Sequence, residues 1–339
     1  MRVGIDARKI ADFGIGTYIR GLLGALIELG GGEEYVAFAP AGASLPGGVE
    51  HVVVDAPHYS VRELVAVGRA ADRARLDVFH APHYVVPFTR VPVVVTIHDL
   101  IHLHRRNPMQ RLYARTMIGR AVRKAARVLT VSESVAAELA REFGAKVVVT
   151  PNGIDEIFNG GAAAASAAGG RERPPLHFLF VGNDKPHKNV GTLIDAFARV
   201  RRELDVRLVL VGAVFERYRG IDGVDVRGFV PVETLASLYR SAIALVMPSI
   251  EEGFGLPAAE AMASGAAVIT SNAAALVEIT GDAALHVDAR DADALARAML
   301  RVARDEELRA ELAARGVERA RSFTWKRCAM LTRIAYRAV

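Results

Sequence analysis

The chain has 339 residues, of which 51% are hydrophobic and 24% charged, with a formal net charge of +5 and one cysteine, Cys328. This composition excludes a disordered chain and a disulfide-stabilised scaffold, and it is typical of a globular protein long enough for two domains. The basic balance is compatible with an acidic ligand, such as a phosphate, a nucleic acid or an anionic membrane, but it identifies none of them.

The N-terminal segment and the lengths of the apolar runs indicate whether the chain is secreted or inserted in a membrane. Asp6 interrupts the first apolar run, which argues against a secretory signal. No uninterrupted apolar stretch approaches the roughly 18 residues of a spanning helix. We therefore expect a cytoplasmic protein, in a reducing compartment, that meets a membrane only at its surface.

Short apolar runs rich in β-branched residues alternate with longer amphipathic segments. Runs that predict buried parallel strands lie at 91–98, 147–152, 176–182, 206–212, 242–249 and 266–272. Segments with a helical pattern lie at 191–204, 232–241 and 291–303. This alternation predicts an α/β fold with parallel sheets.

Residues 159–170, with the sequence NGGAAAASAAGG, carry no charge and no periodicity, which is typical of a linker or loop. They separate a predicted first domain, 1–158, from a second domain, 171–321. Residues 322–339 have apolar positions at helical spacing and predict a final helix. Ligands bind outside the carboxyl ends of parallel strands, so the functional residues are expected in strand-end loops.

Two strand-end loops of the first half contain candidate functional residues. Gly14 and Gly16 follow the first strand and precede a helix, although the third glycine of a dinucleotide fingerprint is missing. His98 stands at the end of the strand at 91–98, with further histidines at positions 80, 83, 102 and 104. A substrate-contacting His98 is favoured over a purely structural histidine and over a metal site.

The segment 105–127 is basic. It contains Arg105, Arg106, Arg111, Arg115, Arg120, Arg123, Lys124 and Arg127, and no acidic residue occurs from Leu100 to Ser132. Much of it predicts an amphipathic helix, which could rest on an anionic membrane or could equally be a solvated helix face.

Two loops of the second half carry charge at strand-to-helix junctions. Lys185, His187 and Lys188 lie between the strand at 176–182 and the next helix. Three potential cations there suit a diphosphate, although the Gly-Lys-Ser/Thr ending of a P-loop is absent and a solvated charged loop is the alternative.

The second loop of this half is SIEEGFGLPAAEAMASG, residues 249–265. Its glycines permit close approach of the backbone to a ligand, and Pro257 predicts a helix over 257–264 whose N-terminus would attract phosphate. Glu260, expected in the first helical turn, could accept hydrogen bonds from a diol such as a ribose, and Glu252 lies before the turn. The alternative is a capping network with two solvated acids.

Six motifs in order along residues 1–339 resemble family 4 of the retaining glycosyltransferases. They are DFGIGTYIR, TIHDL, TPNGID, VGNDKPHKN, EGFGLPAAE and FTWKRCA. The resemblance implies a GT-B architecture, with two Rossmann-like domains whose parallel sheets face each other across a cleft and a final helix, 322–339, that returns to the first domain. It implies a nucleotide-diphosphate-sugar donor, held mainly by the second domain, and no required metal.

The resemblance also implies roles for individual residues. Catalytic roles fall to His98, which would contact the sugar at the reacting face, to Glu252, which would bind the donor sugar, and to Lys188, which would hold the diphosphate. Donor-binding roles fall to Gly16, His187, Lys188, Val230, Phe254, Gly255, Leu256 and Glu260, with Glu260 on the ribose and Val230 on the base.

The loop PHKN and the segment HAPHYVVPF look most like the mannosyltransferase-like branch. GDP-mannose is therefore the expected donor, followed by UDP-glucose and UDP-N-acetylglucosamine. The expected acceptor is a saccharide or lipid-linked saccharide in cell-surface polysaccharide synthesis. Two alternatives are a GT-B nucleotide-sugar epimerase and a non-catalytic nucleotide-binding protein. A nucleic-acid partner is not expected, because aromatics are few and no nucleic-acid motif is present.

Overall fold

A computed structural model describes residues 1–57, 60–104, 107–160, 176–213 and 215–339. The chain divides into two compact units, Met1–Gly153 together with Thr324–Val339, and Ile154–Phe323. The division after Gly153 comes earlier than residue 158, where the sequence pattern placed the end of the first domain. The predicted linker at 159–170 lies outside the described residues from residue 161 onward.

The first unit contains a parallel sheet of seven strands in the order β3-β2-β1-β4-β5-β6-β7. The strands are β1 (Arg2–Asp6), β2 (Glu34–Ala39), β3 (Glu50–Val53), β4 (Val78–Ala81), β5 (Val93–Ile97), β6 (Arg127–Thr130) and β7 (Val147–Val149). Tyr35 and Ala37 of β2 join one hydrophobic cluster, and Val36 and Phe38 join another. Both faces of the sheet are therefore buried, which is why its strands are apolar throughout.

Helices connect these strands as crossovers. They are α1 (Ile15–Leu29), α2 (Val61–Arg73), α3 (Pro108–Lys124) and α4 (Glu133–Phe143). Side-chain caps begin three of them, because Ser60, Asn107 and Ser132 each accept a hydrogen bond from a backbone N–H of the first turn.

The second unit contains a parallel sheet of six strands in the order β10-β9-β8-β11-β12-β13. The strands are β8 (His177–Asn183), β9 (Arg207–Ala213), β10 (Val224–Arg227), β11 (Ala244–Met247), β12 (Ala267–Ser271) and β13 (Ala284–Val287). The helices are α5 (Val190–Val200), α6 (Val232–Ser241), α7 (Leu256–Ala263), α8 (Ala274–Thr280), α9 (Ala292–Arg304) and α10 (Glu306–Ala320). The prediction of an α/β fold with parallel sheets is confirmed.

The last helix, α11 (Trp325–Arg337), packs on α1 in the first unit. Close contact depends on two glycines. A Cβ placed on Gly21 of α1 would lie 2.1 Å from the Trp325 ring, and one on Gly153 would lie 2.1 Å from the Trp325 backbone nitrogen. Either side chain would push α11 away from the unit.

Substitution of Gly21 tests this packing. Gly21→Ala should lower the free energy of unfolding by about 1–3 kcal/mol, because the new methyl group overlaps the Trp325 ring. Gly24→Ala on the same helix is the matched control, since a Cβ there meets nothing within 4 Å and should stabilise by about 0.5–1 kcal/mol. Urea unfolding followed by the fluorescence of the single tryptophan, Trp325, measures both. Equal midpoints for the two variants would contradict the prediction.

Candidate active site

A glycine turn joins β11 to α7 in the second unit. Gly255 precedes α7 with φ of +89°, a left-handed conformation that favours glycine, and a Cβ there would lie 2.5 Å from Leu276 Cδ2. Phe254 is buried, and its ring stacks edge-on against Phe323 at 5.4 Å. Leu276 and Phe323 thus pack against the turn. The first N–H groups of α7, beginning at Leu256, lie at the carboxyl edge of the sheet.

Glu260 lies one residue further into the helix than the sequence suggested. Because α7 begins at Leu256, Glu260 is in its second turn, so the prediction of a first-turn position is wrong. Glu260 is partly exposed as a residue, and the Tyr239 hydroxyl donates a hydrogen bond to its Oε2 at 2.9 Å. Burial raises the pKa of Glu260 to about 7, and the nearby Asp155 adds to the rise while the Tyr239 hydrogen bond opposes it.

Lys188 and Glu252 form a close ion pair between two strand-end loops. Lys188 Nζ lies 2.6 Å from Glu252 Oε1, and the two side chains are 15% and 8% exposed. Lys188 ends a short 3₁₀ turn, Pro186–Lys188, that follows β8, and Glu252 follows β11, the neighbouring strand. The structure therefore brings together two predicted site residues that are 64 positions apart in sequence.

Asn189 holds these loops in place, and the sequence analysis did not single it out. It adopts a left-handed conformation with φ of +58°, and its Nδ2 donates to the carbonyl oxygens of Pro248 at 3.1 Å and Ala289 at 2.6 Å. In addition, the N–H of Ile250 donates to the carbonyl of His187 at 2.7 Å. These bonds join the loops after β8, β11 and β13. An asparagine before a helix was the only signal in the sequence.

The other predicted donor residues of the second unit lie in loops at the same edge of the sheet. His187 and Leu256 are half-buried beside the Lys188–Glu252 pair in sequence. Val230, also half-buried, lies in the loop between β10 and α6. β10 is the outer strand of the sheet, two strands away from β8, so the structure does not place Val230 in contact with the ion pair.

His98 follows β5 in the first unit and is half-buried. Its Nε2 lies 3.0 Å from the carbonyl oxygen of Pro82, which can only accept, so Nε2 carries the hydrogen and Nδ1 keeps a lone pair. Burial lowers the pKa of His98 to about 4, although Asp99 and the Pro82 hydrogen bond oppose the shift. The imidazole is therefore neutral at physiological pH, and Nδ1 is a hydrogen-bond acceptor.

Gly16 does not precede the helix as predicted, because α1 begins at Ile15 and Gly16 lies in its first turn. A Cβ on Gly16 would lie 2.5 Å from the carbonyl oxygen of Ile10. Glycine at this position thus lets the loop after β1 pack directly against α1.

One of the histidines near His98, His80, has hydrogen-bond partners within the fold. Both ring nitrogens of His80 are within hydrogen-bond distance of hydroxyl groups, those of Tyr336 and Thr96. Across the part of the chain that the structure describes, no group of three or more histidine, cysteine, aspartate or glutamate side chains is arranged to hold a metal ion.

Comparison with known proteins identifies the family. The model for glycosyltransferase family 4 matches residues 14–157, and the model for group 1 glycosyl transferases matches residues 164–319. O-antigen chain mannosyltransferase B of Escherichia coli is 30% identical over 287 residues, which cover 77% of this chain and 74% of that protein. The chain belongs to the group 1 glycosyltransferases.

Solved structures agree with the fold of this glycosyltransferase. Sucrose-phosphate synthase from Thermosynechococcus elongatus superposes with a TM-score of 0.84 at 22% identity, covering 99% of this chain and 98% of that one. HepE from Anabaena, in complex with UDP-glucose, superposes with a TM-score of 0.77 at 16% identity over the whole of both chains. The fold is GT-B, as the sequence motifs predicted.

The glycosyltransferase also contains a buried charge cluster that the sequence analysis missed. The Arg8 guanidinium bonds both oxygens of Asp6, at 2.8 and 2.7 Å, and also Glu63 Oε1 at 2.6 Å. Burial opposes ionisation of Asp6, but His83 and Arg8 outweigh it and hold the pKa of that carboxyl well below its usual range. The cluster fixes the loop between β1 and α1. Glu63 lies 55 positions from Arg8, so the complete cluster could not be read as a local motif.

The raised pKa of Glu260 predicts a pH-dependent stability of the glycosyltransferase. A carboxyl whose pKa is about 7 in the folded state and near 4.5 otherwise binds its proton more tightly when folded. The resulting stabilisation is complete below about pH 4.5 and is lost as the pH rises through 7. The free energy of unfolding of the wild type should fall by about 3 kcal/mol over this range relative to that of Glu260→Gln.

Urea unfolding followed by circular dichroism at a series of pH values measures this difference. Glu233→Gln, which changes an exposed glutamate on α6, is the matched control and should parallel the wild type. If Glu260→Gln also parallels the wild type, the carboxylate is not titrating near neutrality in the folded protein.

Proposed function

We propose that this glycosyltransferase transfers a hexose, with retention of anomeric configuration, from a nucleotide-diphosphate sugar to a saccharide or lipid-linked saccharide acceptor in cell-surface polysaccharide synthesis. No metal ion is required in this proposal. The observation that carries it is the Lys188–Glu252 contact, because one cation and one acid, both largely buried, meet where two strand-end loops converge.

The unliganded ion pair explains how a donor could be recognised. Two largely buried charges are stable only when each is paired. A diphosphate offers Lys188 an alternative partner. The N-terminus of α7 adds positive potential, and His187 lies next to Lys188 in the same loop. Once Lys188 turns to the diphosphate, the Glu252 carboxylate is released to accept hydrogen bonds from hydroxyls of the donor sugar.

The remaining donor contacts follow from the chemistry of each group. The Glu260 carboxylate, with Oε2 already bonded to Tyr239, has acceptor capacity left for a ribose diol. Backbone groups of Phe254, Gly255 and Leu256 would contact the phosphates and sugar. Backbone groups of Val230 would contact the base.

In the proposed reaction the bond between the anomeric carbon and the diphosphate oxygen breaks, and the acceptor hydroxyl attacks from the same face. The departing diphosphate takes the hydroxyl proton. Negative charge grows on the diphosphate, so Lys188 and the N-terminus of α7 stabilise the transition state more than the bound donor. His98 would accept a hydrogen bond from a sugar hydroxyl at Nδ1, and Gly16 would approach the phosphate or acceptor.

GDP-mannose is the first-choice donor, since the Escherichia coli relative is a mannosyltransferase. UDP-glucose is the second choice, because it is bound to HepE, which shares the fold. UDP-N-acetylglucosamine is the third. An epimerase would convert the donor sugar in the absence of any acceptor, so product analysis with the donor alone separates the two activities.

A surface of α3 supports a lipid-linked acceptor. Met109, Leu112 and Tyr113 are 80%, 67% and 46% exposed, and Arg111 and Lys124 are exposed on the same helix. Exposed apolar and basic side chains on one helix are typical of proteins that lie on an anionic membrane. Among the described residues, no helix is long and apolar enough to cross a bilayer.

Two basic residues of this segment have other partners within the fold. Arg115 pairs with Glu142 at 2.9 Å. Arg120 donates to the carbonyl of Val86 at 2.5 Å and lies over the Phe88 ring. Substituting either residue would also remove these contacts, so a loss of liposome binding would not report on membrane contact alone. Arg105 and Arg106 lie outside the described residues.

The donor proposal is tested by thermal shift against GDP, UDP, ADP, TDP and their common sugars, with and without EDTA. GDP and GDP-mannose should raise the melting midpoint by mass action, and EDTA should not change the shift. Lys188→Ala should weaken the stabilising nucleotide about 10- to 100-fold in Kd, because a charge-assisted contact is lost, and Glu260→Ala should also weaken it.

Lys185→Ala is the matched control, since it removes the same charge from an exposed position of the same loop. It should weaken binding much less than Lys188→Ala. Equal losses would mean that only the net charge of the loop matters. If no nucleotide shifts the midpoint, the donor site proposed here is wrong.

Membrane contact is tested by sedimentation with liposomes that contain anionic lipid. The double variant Arg111→Glu/Lys124→Glu should lose binding, because each basic residue near an anionic surface contributes about 1 kcal/mol and its reversal adds repulsion. Arg297→Glu/Arg301→Glu, on the exposed side of α9, makes the same change in net charge and should bind like wild type. If the two double variants sediment equally, α3 is not the membrane-binding surface.

A further inference from the structure

A line of buried polar side chains crosses the first unit beneath His98. The Tyr18 hydroxyl lies 2.9 Å from Thr96 Oγ1, which lies 2.8 Å from His80 Nε2. His80 Nδ1 lies 2.6 Å from the hydroxyl of Tyr336. The four residues come from α1, β5, β4 and α11, and each is at most 1% exposed.

Burial restricts the protonation state of the histidine in this line. Burial lowers the pKa of His80 to about 3, so its imidazole is neutral and has one donor and one acceptor nitrogen. Thr96 Oγ1 lies between two polar partners, and His80 lies between two hydroxyl groups, so each takes part in two of these buried contacts. Loss of the Tyr18 hydroxyl would remove one buried partner of Thr96, whose side chain is closed off from bulk water, so this contact helps to hold the Tyr18 ring in place.

The ring of Tyr18 meets the ring of His98. Their centroids are 4.6 Å apart, and the planes are inclined at 81°, an edge-to-face contact. The hydrogen bond from His98 Nε2 to Pro82 fixes one end of the imidazole but leaves it able to pivot about that bond. The Tyr18 ring restricts this pivot and so fixes the direction in which Nδ1 points.

We infer that Tyr18 is a positioning residue for His98 and that its own ring is held by the buried line through Thr96, His80 and Tyr336. The inference rests on the proposed role of His98 in transfer, although the positioning itself is a property of the fold. Because Tyr336 belongs to α11, the same line of contacts links the last helix to His98, which follows β5.

Two variants separate the ring of Tyr18 from its hydroxyl. Tyr18→Leu removes the edge-to-face contact, and Tyr18→Phe keeps the ring but breaks the link to Thr96. Tyr35→Phe is the matched control, because Tyr35 belongs to the same hydrophobic cluster and its buried hydroxyl has no hydrogen-bond partner among the described residues.

The readouts are kcat and the KM for the donor, together with the imidazole ¹⁵N signals of His98, assigned by their absence in His98→Ala. Tyr18→Leu should shift the His98 signals and lower kcat about 100-fold with little change in KM, because a misplaced group loses its effect in the transition state. Tyr18→Phe should shift the signals less and lower kcat about tenfold. Tyr35→Phe should resemble wild type in both readouts.

An unchanged His98 signal in Tyr18→Leu overturns the inference, whatever the activity. A shifted signal with wild-type kcat in both Tyr18→Leu and His98→Ala upholds the positioning but overturns the proposed role of His98. A kcat as low in Tyr35→Phe as in Tyr18→Leu also overturns the inference, since general loosening of the core would then account for the loss.

Discussion

The contact between Lys188 Nζ and Glu252 Oε1, 2.6 Å long, is the interaction on which the candidate donor site depends. Both charges are largely buried, so each must have a partner, and neither loop can move without breaking the pair. The side-chain amide of Asn189 ties the same loops to the end of β13 through Ala289. These contacts hold the two loops together in the absence of a ligand, and in the proposed function a diphosphate would replace Glu252 as the partner of Lys188.

In the first unit, uncharged contacts orient His98. His98 is kept neutral by burial, with Nε2 committed to Pro82 and its ring set against Tyr18. Below it, the hydrogen bonds through His80 reach Tyr336 of the last helix. Gly21 and Gly153 bring that helix close enough for the line to form, because a side chain at either position would collide with Trp325. The two glycines therefore allow α11 to pack closely, and the close packing of α11 places Tyr336 in the line of hydrogen bonds that reaches Tyr18 beside His98.

The sequence predicted β5, β8, β9, β11 and β12, because strands buried on both faces are apolar throughout, and it also predicted the outer strand β7. It did not predict β2, β3, β4, β6, β10 or β13 as strands. Of these, β3 and β10 are outer strands with partly or largely exposed side chains, and β4, β6 and β13 are only four residues long. Within the site, residue types at strand ends pointed to Lys188, Glu252 and Glu260, but the helical turn of Glu260 was misplaced. The pairing of His80 with Tyr336, 256 positions away, could not be read from a local pattern.

The most direct test is a crystal structure of the protein with the nucleotide sugar that stabilises it most. The account predicts diphosphate oxygens within hydrogen-bond distance of Lys188 Nζ, ribose hydroxyls on the Glu260 carboxylate, and a longer Lys188–Glu252 distance than the 2.6 Å of the unliganded pair. A nucleotide bound elsewhere, or a diphosphate remote from an intact Lys188–Glu252 pair, would contradict it.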